Sequence, residues 1–191
     1  VHGMTIGEYA QMINGEEWIS SPCDLLVVSM IFYQRKTPYS LPIKPSPNLP
    51  NDVSVNLYPS LCLFEGTTVS VGRGTKNPFQ HFGAPYFRND YNFTPVSGPG
   101  SKYPKHENTV CYGIDLREEK FLTELNLDWL IDAYNQAPEK ERFFNNFFDK
   151  LAGTNELKEQ IITGISAQEI KKGWQEDLLK FSEMRRGYLL Y

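Results

Sequence analysis

Hydrophobic positions along this chain follow different periods in different stretches. Between Met4 and Asn14, the residues Ile6, Tyr9, Ala10 and Ile13 recur at helical spacing. Thr5 precedes this run and Glu8 lies three residues on, a Thr-x-x-Glu capping box, and Gly15 suits the helix end. From Asp24 to Ile31 the pattern becomes a short continuous apolar run rich in Val, Leu and Ile. Such a run predicts a strand buried on both faces. A helix followed by that strand resembles the last αβ unit of a parallel sheet.

The pattern then breaks. Residues 38–50 hold Pro38, Pro42, Pro45, Pro47 and Pro50, which excludes helix and central strand. A flexible linker and a rigid loop both fit; Leu41, Ile43 and Leu49 favour the rigid loop, since a solvated linker has no use for them. Residues 52–65 predict two helical pieces broken near Pro59, with that proline in the first turn of the second piece. Residues 66–107 read as loop-rich, and Val110 to Leu116 as a strand.

Beyond Leu122 helical spacing dominates. One stripe is Leu127, Leu130, Ile131 and Tyr134; the next is Phe143, Phe144, Phe147 and Phe148. Leu157, Ile161 and Ile162 form a short third helix. Ser166 caps a fourth that runs to about residue 186, with Ile170, Trp174, Leu178 and Phe181 inward. The fold class is therefore α+β: a small mixed domain with Gly/Pro-rich loops, a short sheet and packed C-terminal helices, behind the end of an αβ unit.

Composition narrows the function classes. A net charge of −4 argues against a nucleic-acid binder, which normally shows a basic face. No apolar run is long enough to span a bilayer. Cys23, Cys62 and Cys111 match no zinc spacing; three buried thiols are expected, with one disulfide plus a free thiol as the alternative. No cluster of His, Cys and acidic residues has metal-ligand spacing, so neither metal nor organic cofactor is expected.

Candidate chemistry concentrates between Tyr58 and Tyr86. Glu65 and Arg73 lie among Gly66, Gly72, Gly74 and Gly83, with hydroxyls at Thr67, Thr68, Ser70 and Thr75. Hydroxyls, a carboxylate and a five-donor fork suit a polyhydroxylated or anionic small molecule. Glu65 has two readings: a helix-terminal structural carboxylate, or a desolvated carboxyl fit for general-acid work behind Leu61, Leu63 and Phe64. Arg73 either clamps a substrate carboxylate or pairs with a structural one, Glu65 included. Asn48, framed by prolines, either presents its amide to a sugar or caps the following helix. His81 and His106 lack ligand spacing and read as hydrogen-bonded histidines. Lys102 and Tyr103 are placed at the border of the site.

Several motifs also carry a family resemblance. They are Pro45-Ser46-Pro47-Asn48-Leu49-Pro50, Leu63-Phe64-Glu65-Gly66-Thr67, Ser70-Val71-Gly72-Arg73-Gly74-Thr75, Pro78-Phe79 and Gly83-Ala84-Pro85. Ser101-Lys102-Tyr103, Cys111-Tyr112-Gly113 and the closing Tyr188-Leu189-Leu190-Tyr191 continue the series. In this order and spacing the chain resembles the exo-β-N-acetylmuramidases of the NamZ type, formerly a domain of unknown function. Thr68 stands where members often carry Asn.

The resemblance implies a bacterial glycosidase that releases N-acetylmuramic acid from the non-reducing end of peptidoglycan fragments. It implies a Rossmann-like region before Val1, which does not read as a native start. Residues 1–36 are then the tail of that domain and 37–191 an auxiliary C-terminal domain, with the active site in the cleft between the two. Glu65 would be the catalytic carboxylate, with Ser46, Asn48, Thr67, Ser70 and Arg73 binding substrate. A second carboxylate would come from the preceding region, so this chain alone is expected to be inactive. An exported or periplasmic location follows from the cell-wall substrate. The rival expectation is a non-catalytic module that binds a cell-wall sugar or a protein.

Overall fold

The computed structural model describes residues 2–191. In chain order it contains helices α1 (Ile6–Gly15) and α2 (Asp52–Leu61), then strands β1 (His81–Ala84), β2 (Tyr91–Phe93) and β3 (Cys111–Asp115). Helices α3 (Asp128–Gln136), α4 (Phe148–Ala152), α5 (Glu156–Ile162), α6 (Ala167–Gly173) and α7 (Gln175–Arg186) follow. The class is α+β, as the hydrophobic pattern implies. Two compact units divide the chain. One extends to Tyr39 and includes Lys171–Tyr191; the other is Ser40–Ile170. The C-terminal segment from Lys171 thus clusters with the N-terminal residues.

The first unit is organised around one carboxylate. Thr5 caps α1, and the expected box is complete: the Thr5 hydroxyl accepts from the Glu8 amide, and Glu8 Oε2 accepts from the Thr5 amide at 2.7 Å. Glu8 is also fully buried. Its other oxygen accepts from Arg35 Nη2 at 2.6 Å and from the Leu190 amide at 2.8 Å. Segments far apart in sequence therefore meet at one side chain. Burial alone pushes the Glu8 carboxyl up; the Leu190 and Thr5 amides and Arg35 outweigh it and bring it down to about 2. The Tyr188 hydroxyl donates to Glu16 Oε1 at 2.7 Å, a second tie between the two segments.

The stretch expected as a doubly buried strand is not one. Residues 24–30 have no regular structure, and Leu26 is 88% and Phe32 99% exposed. A strand is completed by hydrogen bonds from a neighbouring strand, and the described residues of this unit include none to supply them. Cys23, expected buried, is exposed just before it. The single helix expected from Ser166 onward is two, α6 and α7, interrupted at Trp174. Ile170 is buried as expected, but Leu178 is exposed.

In the second unit, β3 is the central strand of an antiparallel sheet ordered β1-β3-β2. The Phe64 and Phe82 rings stack at 4.8 Å, and Phe79, Phe143 and Phe148 are wholly buried around Leu57, Leu61, Leu127 and Leu130. Cys111 is buried here and Cys62 partly so; all three thiols are free. The predicted break near Pro59 is displaced. Asn51 caps α2, which continues through Pro59 to Leu61, and a 3-10 turn at Cys62–Gly66 follows. The phenylalanine stripe is likewise not one helix face. Phe143 follows a short turn, Phe148 opens α4, and Phe147 is exposed.

The proline-rich stretch is solvated over its first half, with Ile43 81% exposed. It seats at Ser46–Leu49, where the Leu49 amide donates to the Ser46 carbonyl at 3.0 Å. Leu41 and Ile43 are exposed, so packing of these two side chains does not hold the loop.

The Glu8 cluster sets a pH dependence. A carboxyl whose folded pKa lies below the ordinary 4.5 contributes stability that is present above 4.5 and lost as pH falls towards 2. Glu8→Gln removes that charge while keeping the shape. It is expected to cost about 2 kcal/mol at neutral pH, the scale of a charge-assisted hydrogen bond, and much less near pH 2. Urea unfolding of both proteins at pH 7 and pH 2.5 measures the difference; an equal loss at both pH values contradicts the assignment.

Candidate functional site

The 3-10 turn after α2 ends in Glu65-Gly66, and what packs on it fixes the carboxylate's position. A Cβ on Gly66 would lie 2.5 Å from the Phe148 backbone, so glycine is required for α4 to approach this closely. Residues on both sides of Glu65-Gly66 turn their carbonyls inward to Lys105. Its ammonium donates to the carbonyls of Phe64 (3.2 Å), Thr67 and Val69 (3.0 Å). Three N–H groups meet three acceptors, which uses the whole donor capacity of a lysine. Burial pushes this ammonium down to about 8, and the nearby Glu65 carboxylate partly restores it.

From Val69 the chain enters the sheet region. Ser70 and Gly83 exchange backbone hydrogen bonds of 2.8 and 2.9 Å, tying the segment to β1. A turn at Gly72–Thr75 then projects Arg73. Gly72 adopts φ 75° and Gly74 φ 81°. A Cβ on Gly72 would fall 2.1 Å from His81 Nε2, so both backbone angle and space demand glycine.

Arg73 and Glu65 form an ion pair, Nη2 to Oε1 2.7 Å, in which each side chain keeps some solvent access. The guanidinium lies 5.3 Å from the centre of the Phe79 ring. Phe79 itself is fully buried and held at φ 56°, a backbone costly for a bulky residue, on the order of 1–3 kcal/mol. Strain of this kind persists where surrounding structure enforces it, and here it places the ring beneath Arg73. Arg73 Nε has no hydrogen-bond partner among the described residues. Glu65, Ser70 and Arg73, with Tyr103, Pro104 and Lys105, border a hollow of about 180 Å³. Glu65 is the one carboxylate among its described lining residues.

The remaining expected site residues are placed elsewhere or spent locally. The Thr67 hydroxyl donates to the Phe64 carbonyl at 2.9 Å and accepts from the Val69 amide at 3.1 Å, and the residue is buried. Ser70 Oγ accepts from the Gly72 amide at 3.2 Å. Ser46 Oγ accepts from the Asn48 amide at 3.2 Å. Asn48 is buried and donates to the Gly100 carbonyl at 2.9 Å. It borders a different hollow, of about 670 Å³, together with Lys44, Thr75, His81 and Tyr91. Thr68, the departure from the family pattern, shares a 2.7 Å hydrogen bond with the Tyr86 hydroxyl. Tyr103 does border the Glu65 hollow; Lys102 instead lies over the Tyr103 ring. Both histidines are hydrogen-bonded: His106 Nε2 donates to the Thr68 carbonyl at 2.7 Å, and His81 bridges Thr75 and Tyr91. Lys105 escaped the sequence reading, because it lies about forty positions from Glu65 and carries no motif of its own.

Among the described residues, no group of three or more His, Cys, Asp or Glu could hold a metal ion, and no helix is long and apolar enough to cross a membrane.

Comparison with known proteins matches two adjoining family models. Residues 1–53 match the N-terminal model of the exo-β-N-acetylmuramidase NamZ and residues 56–191 the C-terminal one. The chain is 34% identical, over its whole length, to the peptidoglycan β-N-acetylmuramidase NamZ of Bacillus subtilis strain 168, and spans 50% of that relative. A crystal structure of a DUF1343 family protein from Bacteroides fragilis NCTC 9343 superposes with a TM-score of 0.94 at 48% identity, covering 100% of this chain and 56% of that one. A second DUF1343 structure from the same organism gives a TM-score of 0.82 at 23% identity, over 98% of this chain and 56% of the other, a likeness of fold. The chain thus spans about half the length of the relatives it matches, and it belongs to the NamZ exo-β-N-acetylmuramidase family.

Proposed function

We propose that this chain is the C-terminal half of a glycosidase that releases N-acetylmuramic acid from the non-reducing end of peptidoglycan fragments. The observation that carries the reading is the Glu65–Arg73 ion pair at the edge of a hollow, in a chain of the NamZ family. In the pair Glu65 acts as an acceptor, which suits it to orient a substrate or a water. Arg73 keeps part of its side chain exposed beside the pair and has a planar fork that matches a carboxylate. N-acetylmuramic acid carries a lactyl carboxylate, whereas N-acetylglucosamine does not.

Glycoside hydrolysis ordinarily uses two carboxyl groups, about 5 to 10 Å apart. The hollow offers one, and this reading assigns the second to a region outside this chain. A Rossmann-like region there, with the catalytic cleft between it and residues 37–191, completes the reading. Substrate of this kind places the protein outside the cytoplasm, exported or periplasmic. A second reading, a non-catalytic binding module, is favoured by the same single carboxylate and by the local engagement of Ser46, Thr67 and Ser70. Assay of a chromogenic N-acetylmuramic acid glycoside separates the two. The full-length protein is expected to turn it over and the 191-residue chain alone is not; absence of turnover by both favours the binding module.

Arg73→Lys keeps the charge and loses the fork. In the full-length enzyme, kcat/KM for muramic acid substrates should fall about ten- to a hundredfold, the range of a charged hydrogen bond. N-acetylglucosamine analogues should change little. Equal loss on both sugars would assign Arg73 to the scaffold.

Lys105→Met tests whether the ammonium positions Glu65. Methionine fills similar space but leaves the carbonyls of Phe64, Thr67 and Val69 without their donor. Stability should fall by about 2–4 kcal/mol, since each buried acceptor left unpaired costs about 1 kcal/mol or more. In the full-length enzyme kcat should drop more than KM rises. Thermal unfolding and initial rates measure the two effects, and an unchanged kcat in a destabilised protein would mean Lys105 serves the fold alone.

A further inference from the structure

The hollow of about 670 Å³ in the second unit is separate from the one at Glu65 and has no role in the reading above. Its volume is that of a small-molecule site. Lys44 and Lys76 border it, and none of its lining residues is Asp or Glu. In a chain of net charge −4, two cations without a carboxylate make a locally positive cup.

Its polar wall has a fixed proton order. The Thr75 hydroxyl donates to the Gly72 carbonyl at 2.7 Å, so its oxygen must accept from His81 Nε2 at 3.1 Å. His81 Nε2 therefore carries the ring proton, and Nδ1 accepts from the Tyr91 hydroxyl at 2.7 Å. Burial keeps this imidazole neutral by pushing it down to about 4, with Asp115 partly opposing. Phe93 stacks on the ring at 4.1 Å and locks its plane. Tyr91 has thus spent its only proton and turns an acceptor oxygen to its surroundings. Asn48 has committed one amide hydrogen to Gly100, and its carbonyl oxygen remains an acceptor.

We propose that this hollow is a second ligand site, for a carboxylate-bearing molecule that also offers a hydroxyl or amide N–H donor. The carboxylate meets Lys44 and Lys76, and the donor meets Tyr91 and Asn48. Two sources share that chemistry: a muramic acid sugar with its lactyl carboxylate, and a peptide joined to the sugar. The choice of these probes rests on the peptidoglycan reading; the site itself does not.

The test is binding to the full-length protein, followed through the ring resonances of Tyr91 and His81. Three probes are used: N-acetylmuramic acid; N-acetylmuramoyl-L-alanyl-D-glutamate, whose lactyl carboxylate is taken up in an amide; and neutral N-acetylglucosamine. Saturable shifts are expected with at least one carboxylate probe, and which one responds identifies the source. The shifts should persist in Arg73→Ala, and Lys44→Glu/Lys76→Glu should weaken binding about tenfold or more. Both lysines are exposed, so the double variant leaves the core untouched. Tyr91→Phe gives a second, charge-neutral check and should also weaken binding. No shift with either carboxylate probe, equal shifts with N-acetylglucosamine, or indifference to the lysine changes would overturn the proposal. Such a failure would leave the Arg73→Lys selectivity intact, and failure of the Glu65–Arg73 reading would leave these ring shifts intact.

Discussion

The interaction on which the site depends is a buried ammonium held by backbone. Lys105 reaches three carbonyls of one turn, at Phe64, Thr67 and Val69, and so fixes the path of the chain on both sides of Glu65. Carbonyls leaving the end of a helix carry partial negative charge, and a cation is the natural partner for them. The same charge lies near Glu65, so the carboxylate is positioned by a group that does not directly bind it. A side chain with all three donors spent on backbone is a fastener, and the cation that meets the Glu65 carboxylate is the partly exposed Arg73 fork.

How much of this was legible in the sequence depended on the range of the interaction. The capping box at Thr5 and Glu8 is a contact over three residues, and it is present as read. The same Glu8 also gathers Arg35 and Leu190, which no local pattern announces. The run from Asp24 to Ile31 was read as a strand because its residues are apolar and β-branched. Strand formation needs a partner that composition does not supply, and the stretch is irregular and exposed. Pro59 misled in the opposite sense: a helix tolerates it when only one backbone bond is lost, and α2 passes through to Leu61. The short strands β1 and β2 lie where the chain read as loop, since they pair with β3 across about thirty and about twenty residues of sequence.

The dense polar segment from Tyr58 to Tyr86 contains both Glu65 and Arg73, which border one hollow. The two side chains pair at 2.7 Å, one of the contacts that their residue types allow. Hydroxyl side chains were a poorer guide. Ser46, Thr67 and Ser70 each satisfy a backbone group of their own loop, the common local role of Ser and Thr near turns. The resemblance implies that Asn48 binds substrate with Glu65; the chain sets it against Gly100 at another hollow. Sequence gives the chemistry available, and only the tertiary path assigns each group to a surface.

The turn at Gly72–Thr75 belongs to both hollows. Arg73 borders the smaller one, while Gly74 and Thr75 border the larger. Thr75 holds the Gly72 carbonyl and is itself held by His81, which Tyr91 holds in turn. A ligand that shifts Tyr91 acts on a chain of hydrogen bonds ending one residue from Arg73. Gly72 has no room to absorb such a shift, since its backbone already touches the imidazole. Close packing of this kind transmits displacement instead of dissipating it. The motif Gly72-Arg73-Gly74-Thr75 is therefore a shared wall of the two hollows.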